Sequence, residues 1–319
     1  MLANSIDSAF KAAKAAYNSD DPSAFDRCVD LVAVTLEVLR QSAYIRPFGN
    51  FYGGFPVAYH VADASSGPLS RPIRAELFVP DARNFQMLAE DLRQYLQRGT
   101  PLQPGHITAA VYTAVMSFGM AIDLWNPGAR KTPGTFFEFF IGSCCRLKFS
   151  GYDIKKHIRM PAVISDDPEA AADIPIEDGR ENGGEERTLS GNFVSTDLVI
   201  ERPDGSGGAV IPLKITTRER IVQPFAHQRI LDSAYPGRYR SFLACISEVQ
   251  RDDKTTSVKQ VCVPGTVALF QAHLSNISGI YYCDIPQRYG QADFRAVVPV
   301  GDYTYFFDDI EAHLTRLNG

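Results

Sequence analysis

Apolar residues recur three and four positions apart through most of the first 130 residues, the spacing of helices with one buried face. Residues 2–18 are Ala-rich and predict a helix. Asp21-Pro22 reads as the N-cap and first-turn proline of a second, 22–42, which carries Phe25, Val29, Leu31, Val32, Leu36 and Leu39. Residues 43–72 are rich in Gly, Pro and aromatics and read as irregular, with one strand around 57–61. A short strand at 74–79 leads to Asp81, which caps a helix over 83–98. The stretch 108–125 is apolar on nearly every side and predicts a core helix.

The pattern changes after Asn126-Pro-Gly-Ala-Arg-Lys-Thr-Pro-Gly134. Thr132 as N-cap and Pro133 in the first turn open a helix to about Leu147. Strands follow at 192–202 and 209–216, joined by a turn of composition Pro-Asp-Gly-Ser-Gly-Gly. The second strand is apolar up to Lys214, as a central buried strand should be. A helix at 224–234, strands at 238–250 and 258–263, a helix at 265–274, a strand at 279–285, a strand at 303–307 and a helix at 308–317 complete the reading. This is an α/β class: a mostly helical N-terminal region, 1–130, and a core, 131–319, with a central sheet flanked by helices.

Composition narrows this little. The chain has 319 residues, 45% apolar and 22% charged, within the range of globular proteins. No secretory signal is legible at the N-terminus and no apolar run suggests a span, so the expectation is a cytoplasmic protein with no membrane partner. The six cysteines, 28, 144, 145, 245, 262 and 283, show no zinc spacing and read as buried, reduced thiols. Charge is more informative. The net charge is −5, but the stretch 166–187 alone carries −7, so the remainder is +2. That acidic stretch, within a loop at about 165–187, reads as solvated and mobile. A basic counterpart lies at 218–240, where five arginines face one Glu and one Asp.

The residues that carry chemistry cluster around the strand pair. Asp197 lies in the first strand and Lys214 ends the second, 17 residues on across a hairpin, so the two can stand side by side at the strand ends. A carboxylate there suits a hard cation such as Mg2+, and a lysine there can orient a water and offset phosphate charge. Thr216, Thr217, Arg218 and Arg220 follow at once and suit phosphate or base contacts. Glu138, set among Phe136, Phe137, Phe139 and Phe140, is either its helix's polar contact with solvent or an acid facing the sheet-end site. The Cys144-Cys145 pair and the glycines at 205–208 read as core and hairpin turn.

In order and spacing these residues resemble the PD-(D/E)XK nuclease superfamily, and within it the type II restriction endonucleases. Lys131-Thr-Pro-Gly-Thr-Phe-Phe-Glu138 is similar to the family's helix motif, Thr196-Asp197 to its first-strand motif, and Lys214-Ile-Thr216 with Arg220 to its second-strand motif. The likeness covers about 131–235. It implies Mg2+-dependent cleavage of double-stranded DNA at a short site, a homodimer matched to a palindrome, and a cognate methyltransferase that protects the host. One feature departs from the pattern. The second acid is absent: Pro212 stands two residues before the lysine, and His227 and Gln228 stand 13 and 14 after it. The expected metal set is therefore Asp197, Glu138 and the main-chain carbonyl of Leu213, with Gln228, His227 and Glu219 as further candidates. The alternatives are a repair or recombination nuclease of the same superfamily, and a non-catalytic DNA-binding protein on a decayed nuclease fold.

Overall fold

The computed structural model describes residues 2–50, 58–65, 67–69, 71–161, 193–252 and 257–316. The acidic loop predicted at 165–187 lies outside them. Five helices come first or nearly so: α1 (Leu2–Asn18), α2 (Ala24–Ser42), α3 (Ala82–Arg98), α4 (His106–Trp125) and α5 (Thr132–Lys148). Between α2 and α3 a small antiparallel sheet forms from β1 (Ala43–Asn50), β2 (Ala58–Ala64), β3 (Gly67–Pro68) and β4 (Ile73–Arg74). α4 is buried without a break from Ala110 to Ile122, and the other four pack around it. Its length and hydropathy would suffice to cross a membrane, but its burial marks a core helix.

The main sheet has the order β13-β12-β9-β7-β6-β5, with β8 also on β9. Its strands are β5 (Asp153–Arg159), β6 (Phe193–Glu201), β7 (Gly208–Ile211), β8 (Leu213–Lys214), β9 (Tyr239–Cys245), β12 (Gly279–Tyr282) and β13 (Val300–Gly301). β5, β6 and β7 run antiparallel; the rest pair in parallel. A separate hairpin, β10 (Val249–Asp252) with β11 (Ser257–Gln260), packs on the N-terminal sheet through Val249, Val258, Phe48 and Tyr59. Helices α6 (Val222–Ala234), α7 (Pro264–His273), α8 (Ala292–Arg295) and α9 (Phe306–Arg316) complete the chain.

Alternation along the strands gives the sheet two apolar faces. Leu198, Ile200, Ala209, Ile211, Leu213 and Ala244 join the core shared with α1–α5. Val199, Val210, Leu243 and Cys245 face the side where α6 and α7 lie. All six cysteines are buried and free.

Four element predictions need correction. Residues 75–77 form a 3-10 turn after the two-residue β4, because Tyr112 and Thr113 of α4 take up the local N–H groups of Arg74 and Val79. The strand at 258–263 becomes β11, outside the main sheet, since its partner is β10. The strand at 303–307 is absent: 303–305 form a turn and Phe306 and Phe307 open α9, with Tyr303, Phe306 and Phe307 buried in the core. The second helix begins at Ala24, with Asp21 accepting from the N–H of Ser23 in a turn before it. Four strands, β1, β3, β5 and β13, stand where none was predicted.

Candidate active site

The site begins with an interruption. The β6–β7 ladder ends at the pair Leu198 and Ile211. Pro212 follows, and a proline has no N–H to extend the ladder. The chain resumes as β8 on the other neighbour, with Pro212 O accepting from Ala244 N at 2.9 Å and Lys214 O from Ile246 N at 3.2 Å. Leu213 therefore turns its N–H towards β6. Asp197 Oδ2 accepts it at 2.8 Å and accepts from Lys214 Nζ at 2.9 Å. A proline that cannot bind a cation through its side chain thus helps create the opening in which the Asp–Lys pair sits.

The opposite edge of β6 is irregular too. Between the pairs Lys155 with Val199 and His157 with Ser195, Thr196–Leu198 face Lys156 alone, a bulge centred on Asp197. Bulges of this kind re-aim a side chain next to a functional site. Asp197 and Lys214 are both partly exposed, so the pair opens to solvent while its backbone frame is buried. Asp197 Oδ1 accepts no bond from the described residues.

The remaining predicted residues divide into two groups. His227, half-buried on α6, lies within electrostatic reach of both Lys214 and Asp197. Burial chiefly, then Lys214, pushes its imidazole below its ordinary value, which Asp197 opposes in part. Thr216 is half-buried just beyond the strand, and Arg218 and Arg220 are exposed. Arg220 Nη2 donates to Thr216 O at 3.2 Å. Arg218 has φ +44°, a left-handed conformation that costs a side-chain-bearing residue energy and clusters at functional sites.

Others are engaged elsewhere. Thr217, expected to face DNA, is buried, and both its N–H and its hydroxyl donate to Glu248. Gln228 is fully buried at the far end of β9, where Nε2 donates to Asp232 Oδ1 at 2.9 Å and Tyr239 O at 3.0 Å. That corrects its placement near the cation. Glu138 sits on α5, which packs against β5, β6 and β8. Its carboxylate pairs with Lys156, the residue opposite the bulge, and raises the phenol of buried Tyr17, whose burial is the larger cause. The Glu219 side chain lies outside the described residues.

Sequence reasoning missed Glu248. This carboxylate is buried at the end of β9, pushed above its ordinary value by burial. Oε1 accepts from Thr217 N at 2.7 Å, from the Thr217 hydroxyl and from Tyr282 Oη at 3.1 Å. It braces the turn between Lys214 and Arg218. The signal was legible: a lone acid closing the apolar run Phe-Leu-Ala-Cys-Ile-Ser. Lys156 was missed because β5 was.

Among the described residues no three His, Cys, Asp or Glu side chains cluster as a metal site. The oxygen donors still fit a hard cation of low protein demand. Mg2+ is bound through one or two carboxylates plus substrate phosphate and water, and Asp197 Oδ1 with the adjoining Leu213 carbonyl supplies one carboxylate and one neutral oxygen.

No known family model matches the chain, and no curated protein matches it. Among solved structures it is similar to the type IIP restriction endonuclease Kpn2I, at 34% identity and a TM-score of 0.79, over 99% of this chain and 98% of that one. A fainter likeness, 12% identity and a TM-score of 0.40 over 72% of this chain and 89% of that one, is to the restriction endonuclease PspGI in complex with substrate DNA. A fold shared end to end with Kpn2I, at 34% identity, defines a nuclease. The chain belongs to the type II restriction endonucleases, enzymes that cleave DNA at specific sites. Family members generally use divalent metal ions.

Proposed function

We propose that the chain hydrolyses a phosphodiester of double-stranded DNA at a palindromic site, with Mg2+ as its cation, acting as a cytoplasmic homodimer whose host is protected by a cognate methyltransferase. The Asp197–Lys214 contact carries the assignment of the site. Bound between Asp197, the Leu213 carbonyl and the substrate, a divalent cation would draw charge from the phosphoryl oxygens.

The residues of the chain do the rest. Asp197 Oδ2 fixes the Lys214 ammonium by a charge-assisted bond. The other protons of Lys214 would then orient the attacking water and offset the charge that develops on phosphate. His227 stays largely neutral at neutral pH, so it adds no second positive charge beside Lys214 and can accept a proton from solvent-linked donors. Glu138, held through Lys156 at the bulge, supplies the second carboxylate in place of position 212. Arg218, Arg220 and Thr216 contact DNA, and the N-terminal region 1–130 contributes recognition or dimerisation.

The test is digestion of a phage DNA of known sequence with Mg2+, followed by end mapping, alongside Asp197→Ala. Discrete fragments with identical ends are expected from the wild type and none from the variant, with specific binding by the variant retained. Uncut DNA in both Mg2+ and Mn2+ with binding intact would instead favour the non-catalytic reading that Pro212 first suggested.

A further inference from the structure

The strand that pairs with Lys214 continues past the site. Cys245, the last residue of β9, lies opposite Lys214. The chain then runs on along the same edge, with Ile246 N donating to Lys214 O at 3.2 Å and Ser247 N to Ile215 O at 3.1 Å. Past Glu248 it enters β10, which pairs with β11 in a ribbon that adds no strand to the main sheet. The reaction as derived does not use this ribbon.

Its two faces differ in character, as alternation along a strand allows. Val249 and Val258 point inward and pack with Phe48, Tyr59 and Val61 of the N-terminal sheet. On that side Arg251 Nη1 donates to Leu69 O at 2.6 Å, and at the base of the ribbon Val261 N donates to Glu248 O at 2.8 Å. The alternate positions face outward: Gln250 directly opposite Lys259, then Asp252 opposite Ser257. Lys259 is exposed, and its ammonium stands 3.5 Å from Asp252 Oδ2. Gln250 is half-buried, yet its side-chain amide forms no hydrogen bond with a described residue. An amide that both donates and accepts, raised on a frame anchored from behind, is arranged to meet a partner from outside.

We propose that the β10–β11 ribbon lies in the major groove of the duplex, where Gln250 reads an adenine of the recognition sequence and Lys259 draws the ribbon to the negative charge of the backbone. Width selects the groove: about 12 Å admits a two-stranded ribbon, and the minor groove, about 6 Å, does not. Chemistry selects the base. A glutamine amide donates and accepts side by side, which matches N7 and the N6 amino group of adenine; the guanine edge offers acceptors alone, and cytosine and thymine each offer half of the pair. Position along the chain sets the distance. Gln250 is five residues beyond Cys245, at most about 17 Å of chain, so the adenine lies within about five base-pair steps of the cut, at roughly 3.4 Å each. The ribbon supplies what the Asp–Lys pair cannot, because contacts to phosphate position a duplex and contacts to base edges specify its sequence.

This inference rests on the reading of the chain as an enzyme of duplex DNA, and its test keeps the two apart. Once the site is mapped, wild type, Gln250→Ala and Lys259→Gln are titrated with duplexes carrying it and with duplexes substituted at each of its base pairs. Ca2+ replaces Mg2+ so that binding is read without cleavage, and thermal melting is the folding control. A second set replaces each adenine of the site by 7-deazaadenine, which keeps base pairing and removes the N7 acceptor. Gln250→Ala should bind the intact site about 5–150-fold more weakly, the range for one bidentate base contact, and should cease to discriminate at one A·T pair. Wild type should lose affinity on deaza substitution of that same adenine, and Gln250→Ala should lose nothing further there. The wild-type scan reads the contact even if the variant folds poorly. Lys259→Gln should lower the slope of log affinity against log salt by about 0.9 and leave base preference alone. Unchanged preference at every pair in Gln250→Ala, in a protein that cuts at a mapped site, would overturn the ribbon alone. Equal weakening on all sequences with no sensitive adenine would also overturn it and make Gln250 part of the frame. A wild type that neither binds nor cuts duplex overturns both.

Discussion

At the scale of single residues, the site is defined by which oxygen meets which donor. Asp197 commits Oδ2 to Leu213 N and Lys214 Nζ, which leaves Oδ1 for a cation. The second acid has to come from outside the strand and the following helix, because 212, 227 and 228 are Pro, His and Gln. Glu138 is the acid whose tether reaches the bulge around Asp197, through Lys156. Glu138→Gln keeps its shape and removes its charge. Cleavage in Mg2+ is expected to fall at least about 10–100-fold, the cost of losing an acid at or just behind a metal site, while the melting temperature and DNA affinity stay near wild type. Single-turnover cleavage and a melt on the same samples check this. A variant that cuts normally but melts earlier would make Glu138 a structural counter-ion for Lys156. Glu248, by contrast, accepts three bonds at Oε1 and serves the turn.

At the scale of elements, the helices were legible and the strands less so. The Asp81 cap, which accepts from Asn84 N at 2.8 Å, and Gly99 in the left-handed region closing the same helix, are local signals that act within one turn. Strand partners are not local. Nothing in Val258–Val263 says that its partner is the hairpin neighbour and not the main sheet, and β5, with Lys155, Lys156 and His157 in its middle, lacks the apolar alternation that announces a strand. Asp197 and Lys214 were legible because their hairpin is short enough for sequence to fix the pairing. The tightest point of that hairpin lies at its far end. A Cβ on Gly208 would stand 2.2 Å from Ile200 O, and one on Gly207, at φ +153°, would stand 2.1 Å from Arg238 O. Backbone blocks both, so no rotamer change gives relief. Gly208→Ala is expected to destabilise by about 3 kcal/mol, the upper range for an overpacked core, by prying β6 from β7. Urea unfolding reads the loss directly; a midpoint within error of wild type would show that the strands can part there at no cost.

At the scale of the whole molecule, the helical region and the nuclease sheet share one apolar core, and at their boundary lies a buried ion pair. Asp284, 2% exposed just past β12, accepts from Arg74 Nη1 at 2.9 Å and from Tyr59 Oη at 2.7 Å. Arg74 also donates its N–H to Tyr112 Oη at 2.8 Å and its Nε to exposed Glu76 at 3.0 Å. Segments β2, β4 and the end of β12 are therefore joined through one guanidinium and one carboxylate, and α4 joins them through the main-chain N–H of Arg74. Burial raises Asp284 above its ordinary value more strongly than Arg74 lowers it. In the folded state the group then keeps its proton at pH values where the unfolded chain has released it, so its contribution to stability falls as pH rises from the unfolded value through the folded one. Arg74→Met removes the counter-charge and leaves the carboxylate buried with Tyr59 alone. Its folded value must climb further, and the penalty is complete only above it. The expected cost is about 3–5 kcal/mol near pH 8, shrinking towards about pH 5 as Asp284 takes up a proton. Urea midpoints of wild type and variant at both pH values measure this. The difference between them should narrow on acidification; a constant gap would mean that the Arg74 side chain stabilises by packing, and that the charge on Asp284 does not govern how the two regions hold together.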